Sequence, residues 1–196
     1  GPTHYSNEDL GLANLIVGSN IYTTADSQTA KFIAKYIIND RSLAFVRLDR
    51  EKSVDIDYIF KLNDFKNGYR IIFRGNKLCI ISHGHLLNKL WSIIKDDEYF
   101  RENVTLIDLF RCKPISENLS TILENHFHTL VFDEQYENFN LGNLLLNFVN
   151  TYNLNNKIIS HALSEKIDFG NDGREALLDR SGLSSEKIKT IIKNYI

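Results

Sequence analysis

Methionine is absent from all 196 residues, and proline and cysteine occur only twice each. A translated chain starts with methionine, so its absence implies that residue 1 was exposed by processing, tag removal or proteolysis. A missing upstream segment is therefore expected. The two cysteines, Cys79 and Cys112, lie far apart in apolar runs. They are too few and too unpatterned for a disulfide framework or a zinc site, and read as reduced, buried thiols of a cytoplasmic protein. There is no signal peptide and no apolar run long enough to span a bilayer, so neither export nor a membrane is indicated. Charge of one sign is also lacking: the net charge is −2, which argues against a general nucleic-acid or anionic-membrane binder. No G-x-G-x-x-G follows a strand, no Walker motif occurs, and there is neither an internal repeat nor a low-complexity segment.

What is present is an ordinary globular composition, 43% hydrophobic and 24% charged, enough to build a core. Strands and helices alternate along it. A helix is expected from Ser6 to Val17 with Ser6 as its cap, then a strand at Asn20–Thr24. A helix capped by Asp26 or Ser27 follows, with Ala30, Ile33, Ala34, Ile37 and Ile38 at 3.6-residue spacing. "SLAFVRL" (42–48) reads as a buried strand. Residues 49–66 are crowded with charge and read as a solvated connector. "YRIIFRGNKLCIISHG" suggests two strands in a hairpin across Gly75-Asn76. Beyond it come a helix at 86–94, a strand at 104–110, a helix at 115–126, and the strand "TLVFDE". A helix at 141–152, the strand "KIISHAL" and a last helix from Ser184 complete the chain. This alternation predicts an α/β fold with a largely parallel sheet. Residues 1–48, with two strands and two helices, read as the back half of a domain, and 67–196 as a whole one.

The histidines carry no metal pattern. His83 and His85 stand at i, i+2, which is not a helical metal pair. His126 and His128 straddle a helix end and a strand start, where solvated or capping roles fit. The aromatic residues fall on core faces or in loops rather than along a basic stripe, which disfavours a base-stacking platform.

Three segments in order, "GPTHYSNEDL", "NIYTTAD" and "LAFVRLDREK", resemble the second half of the pyrimidine-binding domain of transketolases. "NVTLIDLFRCKPIS", "TLVFDEQYENFNLGNLL" and "FGNDGREALLDRSGL" are similar to the transketolase C-terminal domain. The likeness runs along nearly the whole chain. It rests on GPTH with an aspartate, Asp9, five residues after its histidine, on a V-R-L-x-R strand end, and on IDLF-x-x-KPI. The sub-type resembled is the short C-terminal section of a two-chain transketolase. Deoxyxylulose-phosphate synthases share GPTH and the arginine strand end, with a less similar helix after the histidine. Gly1-Pro2 fits the family loop in register, although Gly-Pro is also what some tag-cleaving proteases leave.

The resemblance implies a three-layer α/β fold. Residues 1–48 would be the second half of a thiamine-pyrimidine-binding domain, 49–66 a linker and 67–196 the transketolase C-terminal domain. It implies transfer of a two-carbon ketol unit between sugar phosphates through thiamine diphosphate and Mg²⁺, both held mainly by segments this chain lacks. His4 matches the histidine that hydrogen-bonds the donor ketose near the reacting carbons; the alternative is a loop histidine satisfied by backbone. Arg47 matches the strand-end arginine that grips the substrate phosphate, a task suited to a planar guanidinium; the alternative is an ion pair. Arg50 would assist or belong to the connector, and Glu134 would serve an interface or the structure. Leu141-Gly142 stands where the family has a Gly-Gly pair. The family's catalytic glutamate lies upstream of GPTH, so the chain alone is expected to be inactive. The expected partner is the N-terminal transketolase section with its diphosphate-binding domain, in a homodimer or heterotetramer. Two other readings stay open: a non-catalytic dimerisation or association module, and a subunit of a related thiamine enzyme, either deoxyxylulose-phosphate synthase or a 2-oxo acid dehydrogenase.

Overall fold

Short apolar runs separated by polar turns form two sheets in the computed structural model, which describes residues 6–50 and 53–196. The elements are α1 (Asp9–Asn14), β1 (Asn20–Thr23), α2 (Ser27–Ile37), β2 (Ala44–Arg47), α3 (Leu62–Asn67), β3 (Arg70–Phe73), β4 (Leu78–Ser82) and α4 (Gly84–Ile94). They continue with α5 (Glu98–Asn103), β5 (Val104–Asp108), β6 (Arg111–Lys113), α6 (Ser120–Leu123) and β7 (His128–Tyr136). The chain closes with α7 (Leu141–Thr151), β8 (Lys157–Leu163), α8 (Arg174–Arg180) and α9 (Ser185–Lys193). The smaller sheet has the order β2-β1-β6 and the larger the order β3-β5-β4-β7-β8. In the larger sheet every pairing is parallel except that of β3 with β5.

Alternation along the strands of the larger sheet builds the layers. Leu78, Ile80, Leu106, Leu130 and Phe132 point to one face, where α4 and α9 cover them with Leu86, Leu90, Ile188 and Ile192. Cys79, Ile81, Ile107 and Val131 point to the other, under Leu10 and Ala13 of α1 and Leu141, Leu145 and Phe148 of α7. Each fully buried aliphatic side chain of this kind contributes about 1.5–3 kcal/mol. Both faces are covered, so the architecture is three-layered, as the sequence implies. Asp26 starts α2 by accepting from Thr29 N at 2.7 Å, and Asn140 and Asn143 close a capping box on α7.

Several local expectations are corrected. The chain turns at Gly75-Asn76, but β3 and β4 are not a hairpin, because β5 lies between them. Gly75 is packed so tightly on β5 that a Cβ there would stand 2.2 Å from Val104 N, an approach open only to glycine. The run 104–110 is not one strand: it ends at Asp108 and resumes as β6, which pairs antiparallel with β1 in the other sheet. Phe110 O takes the Thr23 N–H at 2.8 Å, satisfying a donor at the end of β1. The helix expected at 115–126 shrinks to a 3₁₀ turn, Glu117–Leu119, and the short α6. Ser120 and Thr121 there turn their hydroxyls onto the carbonyls of Glu117 and Asn118, a local competition that weakens regular helix. Ser6 does not cap α1; its hydroxyl donates to Glu8 and the helix begins at Asp9. The apolar stripe of α2 is rotated: Ile38 is 81% exposed, while Phe32 and Tyr36 turn inward against Phe60 and Phe65. The strand at 42–48 is an edge strand and only half-buried. The helices α5 and α8 carry too few apolar residues to have been read from periodicity.

The connector is not simply solvated. Ile56 is fully buried, and its N–H donates to Asp26 Oδ2 at 3.0 Å. The same Asp26 oxygen receives Arg70 Nη2 at 3.0 Å, while Arg70 Nε donates to Asp108 at 2.9 Å. Arg70 and Asp108 face each other across β3 and β5, whereas Asp26 comes from the smaller sheet's unit. Phe60, from the connector, lies under the guanidinium 4.5 Å away. All three charged side chains are fully buried.

One cation thus serves two carboxylates. Burial pushes Asp108 up to about 6 against the pull of Arg70, and the second carboxylate, Asp26, adds to the push. Burial also acts to raise Asp26, but Arg70 and the donors of Thr29 and Ile56 overcome it and hold its carboxyl below the ordinary value. The folded state therefore keeps the Asp108 proton more tightly than the unfolded chain. That contribution to stability is full below pH 3.8 and lost as pH rises through about 6. The Asp26 contribution has the opposite sign and disappears only on acidification below 3.8. Burial lowers His161, which opposes Asp108 as pH rises, so the comparison must be with a variant. Asp108→Asn is expected to remove the fall in urea midpoint that the wild type shows near pH 6 relative to it. Parallel curves from pH 4.5 to 7.5 would contradict this assignment.

Candidate functional site

Parallel strands present their side-chain ends along one edge, and here both sheets bring polar residues to a shared cleft. Arg47 is the last residue of β2. Its Nε lies 3.2 Å from Asp9 Oδ2 at the start of α1, and both side chains keep 23% exposure. The ion-pair alternative for Arg47 is thus present in the structure, yet the residue also lines a cleft of about 420 Å³. His4 lies outside the described residues.

The far wall of the cleft is Arg174, the first residue of α8. Its Nε and Nη2 donate to the two oxygens of Glu134, at 2.8 and 2.7 Å, and its Nη1 donates to Asp49 at 3.0 Å. This fork is charge-assisted and bidentate. Burial alone would lower Arg174, but the bonds to Glu134 and Asp49 raise it, so it stays cationic. Glu134 comes from β7 and Asp49 from the segment after β2, so the arginine ties the two units together across the cleft. Glu134 is accordingly structural in part, as the sequence suggested. Arg50 is exposed on the rim of the same cleft. Gly142, the partner of Leu141, is needed for close approach, since a Cβ there would meet Ser160 Oγ at 2.4 Å.

The lining carries Asp9, Asp49 and Glu134 against Arg47, Arg50 and Arg174. Each carboxylate is already engaged by an arginine. Among the described residues, no group of three or more His, Cys, Asp or Glu side chains is placed to hold a metal ion. This donor set does not fit the diphosphate and metal end of thiamine diphosphate. The Arg174 fork is already filled by Glu134 and Asp49, which leaves Arg47 and Arg50 as the cations facing the cleft. The histidines singled out in the sequence also find places. His85 faces Glu175 at 3.3 Å. His126 is buried between Ile122 O and Thr105 Oγ1, so of the two roles expected it takes the capping one, at the end of α6, and not the solvated one. Arg174 and its two carboxylates were not found as a cluster from sequence. The only pointer was the "GNDGR" turn, because residues 49, 134 and 174 have no spacing that links them.

The family profile described as "Transketolase, C-terminal domain" matches residues 69–188. Among curated proteins, 1-deoxy-D-xylulose-5-phosphate synthase of Campylobacter jejuni subsp. jejuni serotype O:2 is 22% identical over 169 residues, covering 85% of this chain and 27% of that protein. The same enzyme of Malacoplasma penetrans is 25% identical over 173 residues, covering 87% of this chain and 28% of that protein. The chain thus spans little more than a quarter of the length of these relatives. Among solved structures, a split-gene transketolase, an inactive beta4 tetramer, superposes with a TM-score of 0.84 at 18% identity, covering 100% of this chain and 63% of that one. A Pichia stipitis transketolase in complex with sedoheptulose 7-phosphate superposes with a TM-score of 0.72 at 14% identity, covering 100% of this chain and 28% of that one. At these identities the structural likeness establishes the fold.

Removal of the Arg174 fork would leave Glu134 nearly buried without its cation. Arg174→Met is expected to lower stability by about 1–3 kcal/mol, read as a reduced urea midpoint. Glu134→Gln, which keeps an acceptor for the fork, should cost less, and an equal or larger loss would count against the fork as the main contribution.

Proposed function

From a chain that belongs to the transketolase family, we propose the C-terminal section of a transketolase-type enzyme, which transfers a two-carbon ketol unit between sugar phosphates. The observation that carries this reading is the placement of Arg47. It stands at the carboxyl end of β2, lines a solvent-accessible cleft, and is oriented by Asp9, five residues after His4. The family depends on thiamine diphosphate, which supplies the nucleophilic carbon when bound. Here the cofactor and Mg²⁺ belong to a partner section with the diphosphate-binding domain, in the cytoplasm.

Within this reading, Arg47 grips the phosphate of the sugar through paired N–H···O bonds, with Asp9 holding its Nε edge. His4 hydrogen-bonds the donor ketose near the reacting carbons, where imidazole can donate or accept near neutral pH. Residues 67–196 contribute association and the far wall of the cleft, with 1–48 as the pyrimidine-domain half and 49–66 as the joint. A partner surface is available: Leu12, Leu15, Val17, Ile38, Leu43 and Leu48 all keep more than half of their surface exposed. A second reading, a section of 1-deoxy-D-xylulose-5-phosphate synthase, is favoured by the curated relatives named above. It shares the phosphate-gripping role and differs in consuming pyruvate.

The test is reconstitution of this chain, joined to the upstream segment that carries the family's catalytic glutamate, with the diphosphate-domain section, thiamine diphosphate and Mg²⁺. Ketol transfer from a ketose phosphate without carbon dioxide release is expected; carbon dioxide from pyruvate would transfer the assignment to the synthase. In the reconstituted enzyme, Arg47→Ala should raise KM for phosphorylated substrates about tenfold or more and spare unphosphorylated donors. His4→Ala should lower kcat. Equal losses for phosphorylated and unphosphorylated donors would remove the phosphate role from Arg47.

A further inference from the structure

The order β5-β4-β7-β8 places β4 between the strand that follows it, β5, and a later one, β7. The chain therefore leaves β4 toward one side and later returns to the other. In open α/β sheets, ligands occupy the crevice outside the carboxyl ends of the strands at such a reversal. Here that crevice is a pocket of about 240 Å³, lying between α1 and the start of α7. It is distinct from the Arg47 cleft. Asp9 separates the two: one of its oxygens holds Arg47, and the other accepts from Gln135 Nε2 at 3.1 Å.

The pocket is built from buried polar groups that the fold leaves incomplete. His83, directly after β4, is 4% exposed, and Gln135, in β7, is fully buried. His83 Nε2 faces Asp133 Oδ1 at 3.3 Å, an ion pair when the ring is protonated. Among the described residues, neither His83 Nδ1 nor Gln135 Oε1 has a hydrogen-bond partner, and His83 Nε2 has only the Asp133 carboxylate. Buried polar atoms without partners are costly, and one in a pocket wall marks a place for an occupant. The other walls are apolar, with Leu10, Leu141 and Leu144.

The charges select the occupant. Among the described residues, no lysine or arginine lines the pocket. Burial acts to raise Asp133, but His83, the Leu141 N–H and the more distant Arg47 overcome it and hold its carboxyl below the ordinary value, so the wall presents a carboxylate to any anion. A cation finds that carboxylate already engaged, with Oδ2 accepting from Leu141 N at 2.7 Å and Oδ1 from Gln135 N at 3.1 Å. Gln135 Oε1 needs a donor, and a hydroxyl can also satisfy imidazole in either sense. We infer that this crevice is a second small-molecule site, which takes a neutral hydroxyl-bearing compound with an apolar body. Its volume is that of about eight waters and suits a ligand of about eight non-hydrogen atoms.

Benzyl alcohol is a probe of this size and chemistry, and the full-length protein labelled at its histidine, glutamine and leucine side chains can be titrated with it by NMR. Saturable shifts are expected at the His83 ring, the Gln135 amide and the Leu141 and Leu144 methyls. Toluene, lacking the hydroxyl, should bind about tenfold more weakly or worse, and benzoate should not bind. Leu144→Trp, which fills the pocket from its half-buried wall, should abolish the shifts while the rest of the spectrum is kept. If that variant does not fold, the comparison of benzyl alcohol with toluene on the wild type decides. Absence of saturable shifts at millimolar probe, equal binding of toluene, or a crystal soaked in benzyl alcohol with only water on His83 and Gln135 would overturn the site.

Discussion

A single fully buried guanidinium, Arg70, ties the unit of the smaller sheet to the larger sheet. It spans Asp108 of its own sheet and Asp26, the cap of α2 in the other unit. Removing three charges from water is expensive, and the attraction repays that cost only when the hydrogen bonds are well placed. Phe60 and Tyr58 of the connector close over the guanidinium. Ile56 of the same segment gives its N–H to Asp26. The connector is therefore a lid on the ion cluster, which is why it carries buried apolar residues among its charges. Among the described residues, Asp108 Oδ1 and Arg70 Nη1 have no hydrogen-bond partner, so the cluster is held by geometry that is good but incomplete. Such a cluster tolerates little displacement of one unit relative to the other.

The same edge of the larger sheet carries a succession of ionisable groups: Asp108 ends β5, His83 follows β4, and Asp133 and Glu134 lie in β7. A parallel sheet gathers its strand ends on one side, and the first unit is seated over them. Three ties result, Arg70 to Asp26, Arg174 to Asp49, and Gln135 to Asp9. The strand β6 adds a fourth by leaving the larger sheet's unit to pair with β1. Lys113 of β6 then donates its Nζ to the carbonyls of Asn14 and Ile16, at 2.8 Å each, at the negative end of α1. The cleft with Arg47 and the pocket with His83 lie on either side of Asp9, so α1 is the partition between them. Its short length is consistent with this: it is fixed by side-chain ties at both ends rather than by its own propensity.

Much of the architecture was legible from local pattern. The strands at 128–136 and 157–163 and the helix at 141–151 have apolar spacing and boundary residues that agree with one another. Elements failed to be legible where a long-range contact decided the outcome. The run 104–110 has uniform strand character, yet the strand stops at Asp108, because the chain beyond it crosses to the other sheet as β6, Arg111–Lys113. Gly75-Asn76 has the composition of a hairpin turn, yet its flanking strands are separated by β5, which lies almost thirty residues downstream in sequence. The stripe on α2 was misplaced because aromatic residues of the connector claimed Phe32 and Tyr36. In the site, Arg47 was found through the motif around it, whereas Arg174 was not, since its two partners are distant in sequence and carboxylates are common everywhere.

The amino-acid sequence by itself determined the family, the alternating α/β character, the covering of both sheet faces and the candidacy of His4 and Arg47. The alternation is a property of local periodicity, whereas the family, the covered faces and the two site residues follow from a resemblance carried by several short motifs in order along nearly the whole chain. Only the tertiary structure decided the strand order, the sharing of β6, the Asp9 contact with Arg47, and the crevice where His83 Nδ1 and Gln135 Oε1 have no partner among the described residues. Those depend on which charges meet when the units close over one edge of a sheet. That outcome is set by desolvation and packing over the whole chain, and no short stretch of sequence contains it.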